Sequence, residues 1–281
     1  MLLNRQQLEQ YHRDGYVIID APFPRALTED CLAAVAAYGC DPKEVAAVDT
    51  KQNHFTLMPA VPGSYFCALD HSLPFLRVAL HPEIVEIARQ LEGADDLYFR
   101  NGGINELAPG RSTAWHFDAD MEYVEFMHYF SGAQVENGCL RVIPGSHRPR
   151  ADHLQEQLRQ ARRRKGRADM GAWLNVADVE LPGEVPLEVG PDKLIIRSSQ
   201  IFHATHLNRS PRGRLMHHWL FRKVRDGGFR FHWPDYLTPE LITELSPEQR
   251  ALLRLGHEDP IAPQYQEEVA RERGKVFWSV V

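Results

Sequence analysis

The chain has 281 residues, 43% hydrophobic and 25% charged, a composition that supplies a full apolar core and excludes a largely disordered protein. Its formal net charge of -6 argues against a general binder of nucleic acid or of an anionic membrane, since such partners need a surplus of Lys and Arg to displace counterions. The partner expected is a small molecule, while oligomeric state is not legible in the sequence.

Decorated β-barrels and sandwiches reach this length as one unit, so a single domain over residues 1–281 is expected. Its parts are a helical stretch over about 1–95, a β core over about 96–225 and a C-terminal extension over about 226–281. Cys31, Cys40, Cys67 and Cys139 form no CxxC pair and no zinc or disulfide pattern. The first residues lack the features of a secretion signal, and no apolar run approaches the ~20 residues of a membrane span. A cytoplasmic protein with reduced thiols is expected.

In chain order, Leu8 and Tyr11 follow Asn4 at helical spacing, and Asp14-Gly15 should end that helix and start a strand at Tyr16. Thr28 is read as the cap of a second helix through Tyr38, with Cys31, Leu32 and Val35 along it. Residues 41–73 are irregular, as in a lid or substrate-contacting loop. A third helix is predicted from Pro82 to Leu91.

The pattern then changes to short β-prone runs beginning at Leu97, Thr113, Met127 and Leu140, separated by Gly, Pro and Asn. Further strands are predicted at 185–189, 193–204 and 214–222. The fold class expected is an all-β core with helical additions (α+β), a double-sheet jelly roll or barrel. The basic run starting at Arg162 reads as a solvated helix or loop.

On an extended strand His116 and Asp118 share a face, with Trp115 and Phe117 packing behind them. An imidazole and a carboxylate joined by a distant second histidine make the 2-His-1-carboxylate triad, which leaves three positions of an octahedral iron(II) open. Alone, HxD is a weak signal. Downstream, His203 lies before a turn rich in Asn, Ser, Pro and Gly, and Arg214 follows on the return strand. An arginine placed across such a hairpin could grip a carboxylate bidentately, and Thr205 could add a hydroxyl. His206 competes with His203 for the third ligand position.

These residues are similar to the phytanoyl-CoA dioxygenase family of iron and 2-oxoglutarate oxygenases. The likeness runs through the stretch Leu8–Ile19, Trp115–Asp118, Glu136–His147 and His203–Arg214. It implies a jelly-roll, cupin-like double-stranded β-helix, with iron(II), 2-oxoglutarate and O2 as cofactor and co-substrates. The family spacing to a turn asparagine and an oxo-acid arginine selects His203, Asn208 and Arg214, with His116 and Asp118 as the other metal ligands. Asn105, Thr205 and Trp115 are candidates to contact 2-oxoglutarate. The resemblance implies oxidation of a C–H bond with release of succinate and CO2. Related halogenases carry a small residue where Asp118 stands, so hydroxylation is the expected outcome rather than halogenation. The segment Asn137–His147 reads as architectural, with its turns around an apolar strand.

Substrate contacts are expected from His54, Phe55, Tyr98, Arg100, Tyr123 and Trp219, which border the site in loop and strands. Arg100 and His54 would favour an anionic substrate. His217 and His218 must face opposite ways on a strand, so only one can line the pocket. Asp120 shares the face of Asp118 but reads as a solvent-facing strand end. Two rival functions use the same residues: a zinc hydrolase, in which Arg214 loses its purpose, and a non-catalytic jelly-roll ligand-binding protein.

Overall fold

The computed structural model describes residues 2–38, 73–107, 109–118, 121–164, 179–229, 237–263 and 266. Its first helix, α1 (Arg5–Asp14), is closed by a capping box between Asn4 and Gln7 and ends at Gly15. Gly15 has a φ of 84°, and a Cβ there would lie 2.6 Å from the ring of His147, so both conformation and space call for glycine. Strand β1 (Tyr16–Asp20) follows directly.

Helix α2 (Arg25–Tyr38) begins three residues before the predicted cap, which places Thr28 inside it. Pro24 is the reason: standing just ahead of the helix, it has a suitable φ and lacks only an N–H that would have no partner there. Two further helices are α3 (Leu73–Ala79), which was not predicted, and α4 (Pro82–Glu92), which was. The predicted irregular stretch 41–73 lies almost wholly outside the described residues.

The β core consists of β2 (Leu97–Leu107), β3 (Val124–Tyr129), β4 (Leu140–Val142), β5 (Val185–Leu187), β6 (Lys193–Ser198), β7 (His203–Thr205) and β8 (Arg214–Lys223). Between β4 and β5 lies α5 (His153–Arg164), and beyond β8 come the short helices α6 (Pro239–Glu244) and α7 (Pro247–Leu252). The strands form two antiparallel sheets, in the orders β1-β6-β3-β8-β2 and β5-β4-β7. This is the expected jelly-roll type of double sheet with helical additions, and among the described residues the two sheets do not close into a barrel.

Alternation along the strands divides the interior. Phe126, Ile196, Trp219 and Phe221 face the helices, where Phe75, Leu76, Ile84 and Ile87 cover them. Met127, Tyr129, Ile195 and Met216 point instead toward Leu140, Val142 and Leu187 of the smaller sheet. Each fully buried Phe or Leu in these layers contributes about 1.5–3 kcal/mol, and truncating Phe126 to Ala should cost about 3–5 kcal/mol. The outer face of the smaller sheet is covered by Leu154 and Leu158 of α5, packed with Trp115 and Phe202.

Two strand expectations need correction. Residues 193–204 are not one strand, because Ser198 accepts the amides of Gln200 and Ile201 and so turns the chain out of the larger sheet before β7. Strands β7 and β8 are therefore not a hairpin but lie in different sheets. No described helix is long and apolar enough to cross a membrane.

Candidate metal centre

Residues 113–118 do not form the regular strand predicted for them. His116 makes an isolated bridge to His203, with reciprocal amide-to-carbonyl bonds of 2.9 and 3.0 Å. That bridge brings the two rings together, with centroids 4.1 Å apart. Asp118, two residues on, is tied by its amide to the carbonyl of Ser199 at 3.2 Å. Its Oδ1 lies 3.0 Å from His116 Nε2 and 3.5 Å from His203 Nε2, so one ligand atom from each residue falls within 4.8 Å of the others.

Both imidazoles are set for a cation. His116 Nδ1 faces the carbonyl of Ala114 at 2.7 Å and His203 Nδ1 that of Ile201 at 2.9 Å. A carbonyl only accepts, so each Nδ1 carries the proton and each Nε2 turns its lone pair into the site. Burial, with the nearby Arg197 charge, also holds the His203 pKa well below the ordinary histidine value. Burial alone would push the Asp118 carboxyl up, but Arg197, His203 and His116 together hold it well below the usual carboxylate range. Two imidazole nitrogens and a carboxylate fit iron(II) or another divalent transition metal.

The carboxylate continues into a buried network. Asp118 Oδ2 accepts from Arg197 Nη2 at 2.5 Å, the same nitrogen contacts Glu125, and Glu125 Oε1 meets His218 Nδ1 at 2.7 Å. Arg197 and Glu125 are cross-strand partners in the β3–β6 ladder.

The triad opens into a cavity of about 440 Å³ between the sheets. Arg214 lines it and is 1% exposed. Its guanidinium packs 4.6 Å over the Tyr129 ring and donates to the Gly138 carbonyl. No carboxylate pairs with Arg214 among the described residues, its Nε has no hydrogen-bond partner, and burial lowers its pKa from the usual arginine value. Arg214 thus faces the cavity of the triad from the opposite sheet, not across a hairpin as predicted. The reversal preceding it is fixed by Asn208, whose Nδ2 donates to the carbonyls of Leu107 and Arg212 and whose Oδ1 accepts from Ser210.

The structure also places the other predicted residues. Asn105 and Thr205 line the cavity, where Thr205 Oγ1 accepts from the Thr113 amide at 2.6 Å and Asn105 Oδ1 is buried without a partner. Arg100 and Tyr123 line it too; Arg100 sits at a bulge in the β2–β8 ladder, a local kink able to re-aim a side chain. Trp115 does not line it: the ring stacks on Phe202 behind the metal residues, and its Nε1 donates to the carbonyl of Val179. Tyr98 is also outside, with its hydroxyl donating to the Gly227 carbonyl. Trp219 faces the helical layer, stacked on Phe126 and His217.

His206 joins neither triad nor cavity lining, whereas His203 belongs to both. His147 packs on Gly15 rather than entering the cavity. His54, Phe55 and Asp120 lie outside the described residues. Sequence reasoning missed Thr113, Glu125 and Arg197, and left open which of His217 and His218 lines the cavity. Strand parity offered a signal for His218, since it shares a face with Arg214 while Trp219 does not. The signal for Arg197 was a lone arginine in an apolar strand.

Residues 11–216 match the model of the phytanoyl-CoA dioxygenase (PhyH) family, about three quarters of the chain. The chain belongs to the phytanoyl-CoA dioxygenase family. A comparison with curated proteins gives no match. Among solved structures, the chain is similar to EctD from S. alaskensis with bound Fe, at 20% identity and a TM-score of 0.55 over 80% of this chain and 78% of that one. It is also similar to the non-heme alpha ketoglutarate dependent carbocyclase SnoK from nogalamycin biosynthesis (19% identity, TM-score 0.55, 79% and 84% covered). A third is apo HygX from Streptomyces hygroscopicus (16% identity, TM-score 0.56, 79% and 87% covered). At these identities the likeness is one of fold, and it sets this phytanoyl-CoA dioxygenase family member on the scaffold of 2-oxoglutarate oxygenases.

Proposed function

We propose that the chain is an iron(II)- and 2-oxoglutarate-dependent dioxygenase that hydroxylates a small-molecule metabolite, with release of succinate and CO2. The observation that carries this reading is Arg214, a buried guanidinium with no carboxylate partner among the described residues, facing the same cavity as His116, Asp118 and His203. A buried charge left uncompensated costs about 3–5 kcal/mol, so such a residue is best explained by an anion that arrives with a ligand. A zinc hydrolase gives that cation no task. A co-substrate with a metal-chelating end and a distal carboxylate gives it one.

In this reading His116, Asp118 and His203 hold the iron. Arg214 receives the distal carboxylate of 2-oxoglutarate, and the Thr205 hydroxyl, which already accepts from Thr113, keeps its own proton to donate. Bound iron(II) with 2-oxoglutarate supplies the activation of O2 and the oxidation of an unactivated C–H bond. Met127, Leu140 and Met216 wall the cavity with apolar surface and restrict water. Arg100 and Tyr123 border the space for the substrate.

Family membership supports the oxygenase class, as do the EctD structures, one with bound Fe and one with 2-oxoglutarate and 5-hydroxyectoine. The same scaffold carries the epimerase SnoN and the carbocyclase SnoK; the carboxylate at Asp118 argues only against halogenation, so hydroxylation rests on the family. The test is succinate formation by purified protein given iron(II), ascorbate and 2-oxoglutarate, with a metabolite pool analysed for products heavier by one oxygen. Zinc-dependent hydrolysis without any succinate would overturn the reading.

A further inference from the structure

We propose that Arg197 is a positioning residue for the metal centre, holding one oxygen of Asp118 so that the other alone is presented to the ion; this rests on the oxygenase reading above. Asp118 needs such help. It lies outside any regular strand, and the bridge at His116 with its own amide bond to the Ser199 carbonyl holds its backbone but not its side chain.

Arg197 comes from a regular strand and is 3% exposed. Its Nη2 takes Asp118 Oδ2 at 2.5 Å, while Oδ1 faces the two histidine Nε2 atoms at 3.0 and 3.5 Å. The two carboxylate oxygens are thereby divided between the protein and the site. The guanidinium is itself anchored, with Nε 3.3 Å from Met127 Sδ and Nη1 3.4 Å from the Ser198 carbonyl.

A bare arginine beside a divalent cation would repel it. Here Glu125, directly across the ladder and in contact with the same nitrogen, cancels that charge, and His218 holds the far oxygen of Glu125. Arg197 can thus fix the ligand without opposing the metal. Second-layer partners of this kind typically change metal affinity about 10–100-fold when removed.

The experiment is an equilibrium titration of the full-length protein with cobalt(II), without 2-oxoglutarate or substrate, reading affinity and the visible d–d spectrum. Because removal of Arg197 alone strands the buried carboxylate of Glu125, the main variant is Arg197→Met combined with Glu125→Gln, accompanied by Arg197→Lys and a thermal melt of each. The double variant is expected to melt near the wild type, to bind cobalt(II) about 10–100-fold more weakly and to show a changed d–d spectrum, with Arg197→Lys between the two. Wild-type affinity and spectrum in either folded variant would overturn the proposal. A wild type that binds cobalt(II) but makes no succinate would sink the oxygenase reading while leaving the role of Arg197 measurable, whereas a wild type that binds no cobalt(II) would sink both.

Discussion

Arg197 and Arg214 are both buried and both line the cavity between the sheets, but their surroundings are opposite. Arg197 touches Asp118 and Glu125, so its charge is cancelled within the fold. Arg214 has an aromatic face and a backbone carbonyl but no carboxylate among the described residues. The metal end is electrostatically complete before a ligand arrives, while the far end is stabilised only when an anion enters. Buried charge is therefore matched within the fold at one end of the cavity and, in the function proposed above, left for a ligand at the other.

The largest effect tests the ligand set that this contrast presumes. His116→Ala should abolish metal-dependent succinate formation and remove high-affinity metal binding in a calorimetric titration. Arg197→Met alone should destabilise the metal-free protein by about 3–5 kcal/mol in urea unfolding, because the buried carboxylate of Glu125 loses its cation. Arg214→Met should behave in the opposite sense: metal-free stability equal to or above wild type, with 2-oxoglutarate binding weaker by about 2–5 kcal/mol. A metal-free Arg214→Met protein that melts well below wild type would break the contrast, since that arginine would then be serving the fold.

The smallest effect concerns the reverse face of β8. His217 is buried beside Phe75 and Trp219, and burial holds its pKa well below the reference value of 6.5. The unfolded chain takes up that proton first, so the stability His217 contributes is full above about pH 6.5 and is lost as pH falls from there through the lower folded value. His217→Phe should make stability decline less steeply across that acid window in denaturant titrations at several pH values. An unchanged slope would mean that other groups, such as the buried His128, carry the acid response.

Much of this was legible in the sequence where chemistry is local. Asn4 ahead of the first helix, Gly15 after it and Pro82 at the start of another each act on their own turn, and the structure keeps all three. His116, Asp118, His203 and Arg214 could be marked because short motifs surround them, and the structure brings them to one cavity. What failed depended on distance along the chain. The switch between sheets after Ser198 turns on side-chain-to-backbone bonds that also occur in ordinary strands, so 193–204 read as continuous. Trp219 was misassigned because strand parity says which residues share a face but not which face is the cavity, until one residue is fixed. Trp115 was named as a ligand contact through packing although parity already set it behind His116 and Asp118, and it is there that the structure keeps it. Arg197 is invisible locally, since its partners lie 79 and 72 positions earlier in the chain.

The passage of the chain from one sheet to the other between Thr205 and Arg214, pinned by Asn208, has a consequence for co-substrate choice. His203 and the Arg214 guanidinium are fastened to opposing layers, whose separation in packed sheets is about 10 Å and yields little. The gap works as a gauge for diacid length: a 2-oxo acid one methylene shorter should fail to span it, and one methylene longer should buckle.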